Sequence, residues 1–573
     1  MPAVWQVWLA FVAILIVVIL VTDWPLMMQD PDDYMRLLQV RDWLGGQAFY
    51  DTRQYRLNPP VGADMHWIRL VDLPLAFFMM LFGTVLPAAK AEAVTLALVP
   101  LGQLLLALYL LRAIVRRLGG GKAEQLAATV IVPLFPLLVT NFLPARIDHH
   151  GWQALAALTV AWAMVCNSRR HAALAGLVTA AWLMISLEGI ALAAVFGGLF
   201  ALRYVLFGER QHEAFLGALA LGIAVLFAIF RPVSEVFTAL CDLPAWPHIV
   251  AFGGGALVAA GARILPGQGQ PLGRLASLVP VAAVAAAGLL VPLGWCVVSP
   301  LDLDPFLKAN WFDNMAESAN IARQSASVAG MTLWTLLLAV VGSWTMLAQS
   351  QNRELWQARA FYGVALVGAC GVSLLIMRAG LGAQLLCVPV SAFLIVKFWA
   401  RVRAIEAALP RIVATLGLLL LATPTFVSAA LKPLDRANVL TQVQLPAGLA
   451  AESCDYSKLN ALPRSMLFAT LDRGPEILAR TPHSAVMSGY HRNQEKMRET
   501  ILGFAGPLPE AEAIIRANHA DFVVACLTSG DLAIAAGAGE NNLADAIYAG
   551  THPDWLMPVP GFEQGPLRVY KVR

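Results

Sequence analysis

Long apolar segments separated by short polar connections make up most of the chain. Thirteen of them are expected to be membrane-spanning helices, at about residues 4–22, 92–112, 125–143, 152–166, 172–187, 189–207, 214–230, 249–264, 275–297, 330–348, 360–377, 380–399 and 412–431. Most are near the length of about 20 residues with which an α-helix crosses a hydrocarbon core. The first has no basic stretch ahead of it and no small-residue cleavage site after it, so we expect a retained helix. The pattern predicts a polytopic α-helical membrane protein.

Basic residues favour one orientation of these helices. The two short connections 144–151 and 231–248 hold one arginine each. The connections of the opposite side hold twelve basic residues: Arg116, Arg117, Lys122, Arg169, Arg170, Arg210, Arg274, Arg353, Arg359, Arg401, Arg403 and Arg411. Because cytoplasmic connections carry an excess of Lys and Arg, this distribution predicts a cytoplasmic N-terminus.

With a cytoplasmic N-terminus, two long connections and the C-terminal part lie on the outer side of the membrane. The apolar stretch at 73–85 is too short to span, so it is expected to be an interfacial helix within an outside loop at 23–91. A second outside loop covers 298–329. We predict a transmembrane domain at 1–431 and a small extracytoplasmic α/β domain at 432–573, where short apolar runs alternate with helix-like segments.

Composition and cysteines restrict the partners and the compartment. The chain is 58% hydrophobic with a net charge of only +3, so no nucleic-acid partner is expected. Five cysteines lie in or beside apolar segments and are expected to be buried thiols: Cys166, Cys241, Cys296, Cys370 and Cys387. Cys454 and Cys526 lie in the polar part, where a disulfide requires an extracytoplasmic location. A bacterial inner membrane is the expected location.

Charged residues gather on the predicted outer side. The stretch DPDDYMR (30–36) carries Asp30, Asp32, Asp33 and Arg36, the stretch DHH occupies 148–150, and Glu317 and Arg378 follow later. Ionisable groups at the membrane edge usually face a polar cavity or one another. Carboxylate oxygens and imidazole nitrogens together suit a divalent cation. The simpler interpretation is that the aspartates cap helices and that Arg378 reaches the lipid headgroups.

These stretches, with NPPVGADMHWIRLVD (58–72), resemble the catalytic subunits of oligosaccharyltransferases, which belong to the GT-C superfamily of membrane glycosyltransferases. The resemblance implies that Asp30 binds the metal and contacts the acceptor. We expect Asp30, or alternatively Asp32 or Asp33, to accept the proton of the acceptor hydroxyl or to orient it. It implies that Asp148 and His150 complete the metal site, with Mn²⁺ or Mg²⁺ expected. By the same resemblance Glu317 orients the acceptor, and Arg378 contacts the donor phosphate.

Other polar residues are expected to line the cavity or contact the acceptor: Arg36, His66, Arg69, His149, Glu188, Tyr490, His491 and Arg492. For Glu188 a role as a short-turn residue is the favoured explanation, and for Trp67 an interfacial anchor is the competing one. The family's Trp-Trp-Asp motif, which reads Asn-x-Ser/Thr, is missing, and GYHRNQ (489–494) stands at the comparable place. This departure puts N-linked protein glycosylation in doubt. The alternative for GYHRNQ is a loop packed on its own domain.

The resemblance predicts a metal-dependent, inverting glycosyltransferase with its active site in the periplasm. Its donor is expected to be a polyprenyl-linked sugar, and its acceptor a glycan, a lipid or a protein. A single-sugar enzyme similar to protein mannosyltransferases or aminoarabinose transferases is the nearest alternative. A polyprenyl-lipid flippase would require charged residues in mid-span, where these segments have few. A non-catalytic glycan-binding subunit is the remaining alternative.

Overall fold

The computed structural model describes residues 2–22, 28, 30–297, 301–435, 453–539 and 541–573. The chain forms two compact units. The first unit comprises Met1–Met27, Ile68–Asp302 and Met315–Leu434, and the second comprises Met28–Trp67, Leu303–Asn314 and Asp435–Arg573. Part of each predicted outside loop therefore folds together with the C-terminal residues.

Helices dominate both units. In chain order they are α1 (Val4–Thr22), α2 (Pro31–Leu44), α3 (Asp72–Gly83), α4 (Ala88–Arg117), α5 (Lys122–Val130), α6 (Pro136–Asn141), α7 (His150–Val165), α8 (Arg169–Ile185), α9 (Ile190–Phe207), α10 (Gln211–Phe230), α11 (Trp246–Gly261), α12 (Pro271–Leu293), α13 (Pro305–Asn310), α14 (Ala326–Ala348), α15 (Arg353–Leu375), α16 (Gly380–Arg403), α17 (Ala408–Leu421), α18 (Thr425–Leu431), α19 (Gly474–Arg480), α20 (Gln494–Ala505), α21 (Leu508–Ala517), α22 (Gly530–Ala536) and α23 (Leu543–Tyr548).

The chain is a multi-pass membrane protein. Among the described residues, nine helices are long and apolar enough to cross a membrane, or ten if the bent pair of α17 and α18 forms one span. The nine are α1, α4, α9, α10, α11, α12, α14, α15 and α16, some with a flanking 3-10 turn. The apolar helix α3 has only 12 residues, as expected for a segment that does not span.

The predicted count of thirteen spans is not confirmed, because four of the segments are short or broken. The segment 125–143 divides into α5, a 3-10 turn and α6 at Pro133 and Pro136. The segment 412–431 bends by 89° between α17 and α18, next to Pro424. Proline lacks the N–H that continues a helix, which explains both breaks. The segments 152–166 and 172–187 correspond to α7 and α8, which have 16 and 17 residues.

The second unit is built on a five-stranded sheet. Its strands are β1 (Met466–Ala469), β2 (Ser484–Ala485), β3 (Phe522–Cys526), β4 (Leu556–Pro558) and β5 (Leu567–Val572), in the order β2-β1-β3-β5-β4. Strand β1 is parallel to β2 and β3, whereas β5 is antiparallel to β3 and β4. The α/β character predicted for the C-terminal residues is thus observed.

The segment that follows the first membrane helix extends the edge of this sheet. Leu57 forms a parallel bridge with Ala485 of β2. The Ala485 N–H donates to the Arg56 carbonyl at 2.9 Å, and the Asn58 N–H donates to the Ala485 carbonyl at 3.0 Å. Main-chain bonds therefore fix this segment within the second unit, which positions the polar residues on either side of it.

Four cysteines form disulfides. Cys454 and Cys526 are joined within the second unit. This is the disulfide that was considered for an extracytoplasmic C-terminal domain. Cys241 and Cys296 are joined within the first unit, so the expectation that both are buried thiols was wrong. The two residues are 55 positions apart, and their pairing depends on how α11 and α12 bring the ends of two connections together. Cys166, Cys370 and Cys387 have free thiols.

Candidate functional site

The turn that precedes α7 holds Asp148 by two contacts. Its Oδ1 atom accepts the backbone N–H of His150 at 2.9 Å, which satisfies one donor at the start of the helix. Its Oδ2 atom lies 2.9 Å from the Arg146 guanidinium. The N-cap residue of α7 is His149, so Asp148 lies one residue ahead of the cap, although its Oδ1 atom accepts the first N–H of the helix. Its second carboxylate oxygen lies in an ionic environment.

Asp148 is almost completely buried, with 2% exposure. Burial alone would raise the pKa of its carboxyl group. The nearby His150, Arg146 and His149 and the N–H of His150 outweigh this effect, and the pKa lies well below the ordinary value of an aspartate. A buried negative charge is thus fixed beside both histidines.

Three further connections of the first unit meet near Arg378. Arg378 lies in the turn between α15 and α16, and its Nη1 atom contacts Oε1 of Glu188, in the turn between α8 and α9. Its Nε atom lies 3.0 Å from Oε2 of Glu317. Its backbone N–H also donates to the Glu317 carbonyl at 2.9 Å. The arginine therefore joins two carboxylates that are far apart in sequence.

The histidines of the DHH stretch complete this group. His149 Nε2 lies 3.8 Å from Glu188 Oε2, and His150 Nε2 lies 3.9 Å from Glu317 Oε2 and 4.0 Å from Asp148 Oδ2. We name the six residues the carboxylate-imidazole cluster: Asp148, His149, His150, Glu188, Glu317 and Arg378. It combines five of the groups that the sequence placed on one side of the membrane with Glu188, for which a turn role was the favoured interpretation.

The donor set of this cluster fits a divalent cation. One ligand atom from each of His149, His150 and Glu188 lies within 4.8 Å of the others. Two imidazoles and one carboxylate are a common protein ligand set for zinc, and carboxylate oxygens also suit Mn²⁺ and Mg²⁺. The observed set differs from the predicted one, in which Asp148 and His150 supplied the ligands with Asp30. Asp30 belongs to the second unit, and its metal role stays a prediction.

In the second unit, Asp30 begins α2. Its Oδ1 atom accepts the backbone N–H of Asp32 at 2.9 Å, and Pro31 occupies the first helical position. This arrangement is a typical N-cap, so the capping role considered for Asp30 is correct. Asp33 is completely buried, whereas Asp30 and Asp32 are partly exposed.

The residues of GYHRNQ pack against α2 and against residues 65–67 of the predicted outside loop at 23–91. The Tyr490 hydroxyl donates to Asp32 Oδ1 at 3.4 Å, and its ring meets the Trp67 ring edge-on at 5.6 Å. The Arg36 guanidinium lies 4.2 Å from the centre of the Trp67 ring, a cation-π contact. Trp67 is 2% exposed, so the interfacial-anchor interpretation was wrong.

The other predicted residues have definite partners. The His491 ring lies 4.8 Å from the ring of His66, and Arg492 donates to the Met65 carbonyl at 3.2 Å. The GYHRNQ loop therefore packs on residues 65–67 of the predicted outside loop, as well as on other residues of the C-terminal part. Arg69 belongs to the first unit, where it forms a buried ion pair with Asp72 at 3.2 Å. This pairing at the start of α3 gives Arg69 a structural role.

Asp472, which lies after β1, was not predicted from the sequence. Burial raises the pKa of its carboxyl group to about 7, Asp531 adds to the increase, and the neighbouring Arg473 opposes it. Asp30 also raises the pKa of Asp472, so the two carboxyls interact within the second unit. A carboxyl group that titrates near neutral pH is suited to proton transfer. Its only sequence signal is its position three residues after the end of a short apolar strand.

In structure, the chain is similar to the archaeal oligosaccharyltransferase AglB from Archaeoglobus fulgidus. AglB in complex with an inhibitory peptide and a dolichol-phosphate matches with a TM-score of 0.60 at 13% identity, over 95% of this chain and 70% of AglB. The form tethered to an acceptor peptide with the NVT sequon gives 0.59 at 13% identity, over 96% and 70%. The complex with zinc and sulfate gives 0.55 at 12% identity, over 90% and 66%.

In sequence, no protein-family model and no curated protein matches the chain. The structural similarity establishes the fold, and it confirms the predicted polytopic α-helical membrane fold with a C-terminal α/β domain.

Proposed function

We propose that the chain is a glycosyltransferase of the bacterial inner membrane. It moves a sugar or an oligosaccharide from a polyprenyl (di)phosphate donor to an acceptor on the periplasmic side. The observation that carries the proposal is the carboxylate-imidazole cluster, in which Arg378 joins Glu188 and Glu317 beside two histidines. The cluster occurs in a chain with the fold of AglB, whose structures contain a dolichol-phosphate and an acceptor peptide.

Arg378 is suited to hold the donor phosphate. Its planar guanidinium already contacts two carboxylates, and phosphate oxygens can replace a carboxylate in the same hydrogen-bonding geometry. His149, His150 and Glu188 are the proposed metal ligands. A bound divalent cation would neutralise the charge of the departing phosphate. Mn²⁺ and Mg²⁺ are the predicted ions, and the two imidazoles make Mn²⁺ the better candidate of the two.

The reaction we propose is a single displacement. The acceptor oxygen bonds to the anomeric carbon as the bond between that carbon and the phosphate oxygen breaks. The electron pair leaves with the polyprenyl (di)phosphate, so the configuration inverts. Asp30 receives the proton of the acceptor hydroxyl, and its capping contact holds it at the start of α2. Because the chain lacks a Trp-Trp pair, the acceptor we propose is a glycan or lipid hydroxyl in preference to an asparagine.

Two charge-removing substitutions test this function in cells. Asp30→Asn keeps a residue that caps helices well, so it removes the charge with little effect on the start of α2. Glu188→Gln keeps the side-chain shape and removes the charge that His149 and Arg378 contact. The matched control is Glu354→Gln, at an exposed glutamate in the first turn of α15.

The readouts are polyprenyl-linked sugars and cell-envelope glycans, at equal membrane levels of each variant. We expect both site variants to accumulate a lipid-linked sugar and to lose one glycan, whereas Glu354→Gln matches the wild type. Unchanged pools in both site variants would overturn the proposed function and leave the capping role as the explanation for Asp30.

A further inference from the structure

A cavity lies in the first unit, at the end of the helices opposite to the carboxylate-imidazole cluster. It occupies about 900 Å³ between the start of α1 and the helices α4, α5 and α7. Sites for small molecules and cofactors typically measure about 300 to 1,000 Å³. Much of its wall is apolar, with Val4, Leu106, Leu110, Ala113 and Leu155 among the lining residues. The space is therefore large enough for part of a lipid chain.

One part of the cavity wall is positively charged. Arg112 and Arg116, one turn apart on α4, both line it, and none of its described lining residues is acidic. Arg112 donates to the Gln125 side chain at 3.4 Å and to the Pro2 carbonyl at 3.3 Å, which holds its guanidinium beside the cavity. Like charges four residues apart on a helix repel each other. An anion between the two guanidinium groups would remove this repulsion.

We infer that this cavity binds an anionic phospholipid. The phosphate group would contact Arg112 and Arg116, and an acyl chain would lie along Leu106, Leu110 and Leu155. The predicted topology places these arginines at the cytoplasmic surface, where basic pockets between membrane helices bind lipid headgroups. Only 6% of the α1 span is buried, so this helix leaves its neighbourhood open to bilayer lipid. Charge and shape together favour an anionic amphiphile over a free phosphate. The inference is independent of the proposed transferase function.

Lipid binding to the purified full chain tests the inference. The probes are phosphatidylglycerol and phosphatidylcholine with the same acyl chains, titrated into the detergent-solubilised protein and measured by native mass spectrometry. The test variant is Arg112→Gln with Arg116→Gln. The matched control is Arg401→Gln with Arg403→Gln, which removes two exposed arginines from the last turn of α16. A third variant, Leu110→Trp, narrows the apolar part of the cavity and leaves both arginines in place.

We expect one saturable phosphatidylglycerol site and about 30-fold weaker binding in the Arg112/Arg116 variant, from about 1 kcal/mol for each of the two arginines at a charged surface. The Arg401/Arg403 control should bind like the wild type, and Leu110→Trp should also weaken the site. Equal binding of both lipids, or equal loss in both arginine pairs, would overturn the inference. If polyprenyl monophosphate at equimolar concentration displaces the phospholipid, the occupant is the sugar carrier and the phospholipid assignment is wrong.

Discussion

The glycine after Glu188 offers a substitution whose effect is steric. Gly189 has φ −67° and ψ −10°, which any residue adopts, so alanine imposes no backbone strain. A Cβ atom there would lie 2.3 Å from Nε1 and 2.6 Å from Cε2 of the Trp182 indole. This ring is 3% exposed and donates to Gln153 Oε1 at 3.1 Å. Either the ring or the turn that carries Glu188 must move.

The cost follows from these contacts. Overpacking of this kind costs about 1 to 3 kcal/mol, and loss of the indole hydrogen bond adds about 1 kcal/mol. We therefore expect Gly189→Ala to reduce the free energy of unfolding by about 2 to 4 kcal/mol if the ring moves. If the turn moves instead, Glu188 leaves His149 and Arg378, and a shift of about 1 Å at a catalytic group costs about 100-fold in rate.

Thermal unfolding of the purified protein and transfer activity together measure both outcomes. The matched control is Gly198→Ala, in the helix α9 that follows Gly189, where a Cβ atom would meet no described atom within 4 Å. This control should be as stable as the wild type or slightly more so, because alanine favours a helix. If Gly189→Ala has the Tm and the activity of Gly198→Ala, the packing reasoning is refuted.

Three further predictions concern the second unit. Replacing Cys454 and Cys526 by serine releases a cross-link between positions 72 apart in sequence, and should lower stability by about 4 kcal/mol, as followed by denaturant unfolding. The pKa of Asp472 is about 7 in the folded state and about 4 in an unfolded chain, so the folded state binds more protons between these values. Stability should then fall as pH rises from about 4 to about 7, and Asp472→Asn should remove this slope from the Tm profile, whereas an unchanged slope would contradict the assignment. Tyr490→Phe removes the hydroxyl that donates to Asp32 and should cost about 1 kcal/mol, measured in the same unfolding experiment.

Hydrophobic patterning identified the positions of the helices well, and it failed where proline divides an apolar run. An apolar segment of 19 residues such as 125–143 has the composition of one span, yet Pro133 and Pro136 separate α5 from α6. The two prolines predict a break in the helix, whereas the length and the hydropathy of the segment predict a single span. Composition also predicted the α/β part, because its short strands are apolar and lie between helix-like segments.

The site was predictable only in part, because its members meet through tertiary structure. The sequence placed Asp148, His150 and Arg378 on one side of the membrane through topology. It did not show that Glu188 lies beside His149, since that contact joins two turns 39 residues apart. Asp472 was missed because its raised pKa arises from burial and from Asp531, neither of which is visible in a linear pattern.

We propose that this chain breaks the bond between a sugar and a polyprenyl-linked phosphate. The most direct test places the purified chain in vesicles with extracted lipid-linked sugars and an acceptor fraction, and measures released polyprenyl (di)phosphate. We predict release that requires a divalent cation and falls about 100-fold or more in Arg378→Ala, as for loss of a group that stabilises transition-state charge. Movement of intact lipid-linked sugar across the vesicle membrane without release would contradict the claim and identify a flippase.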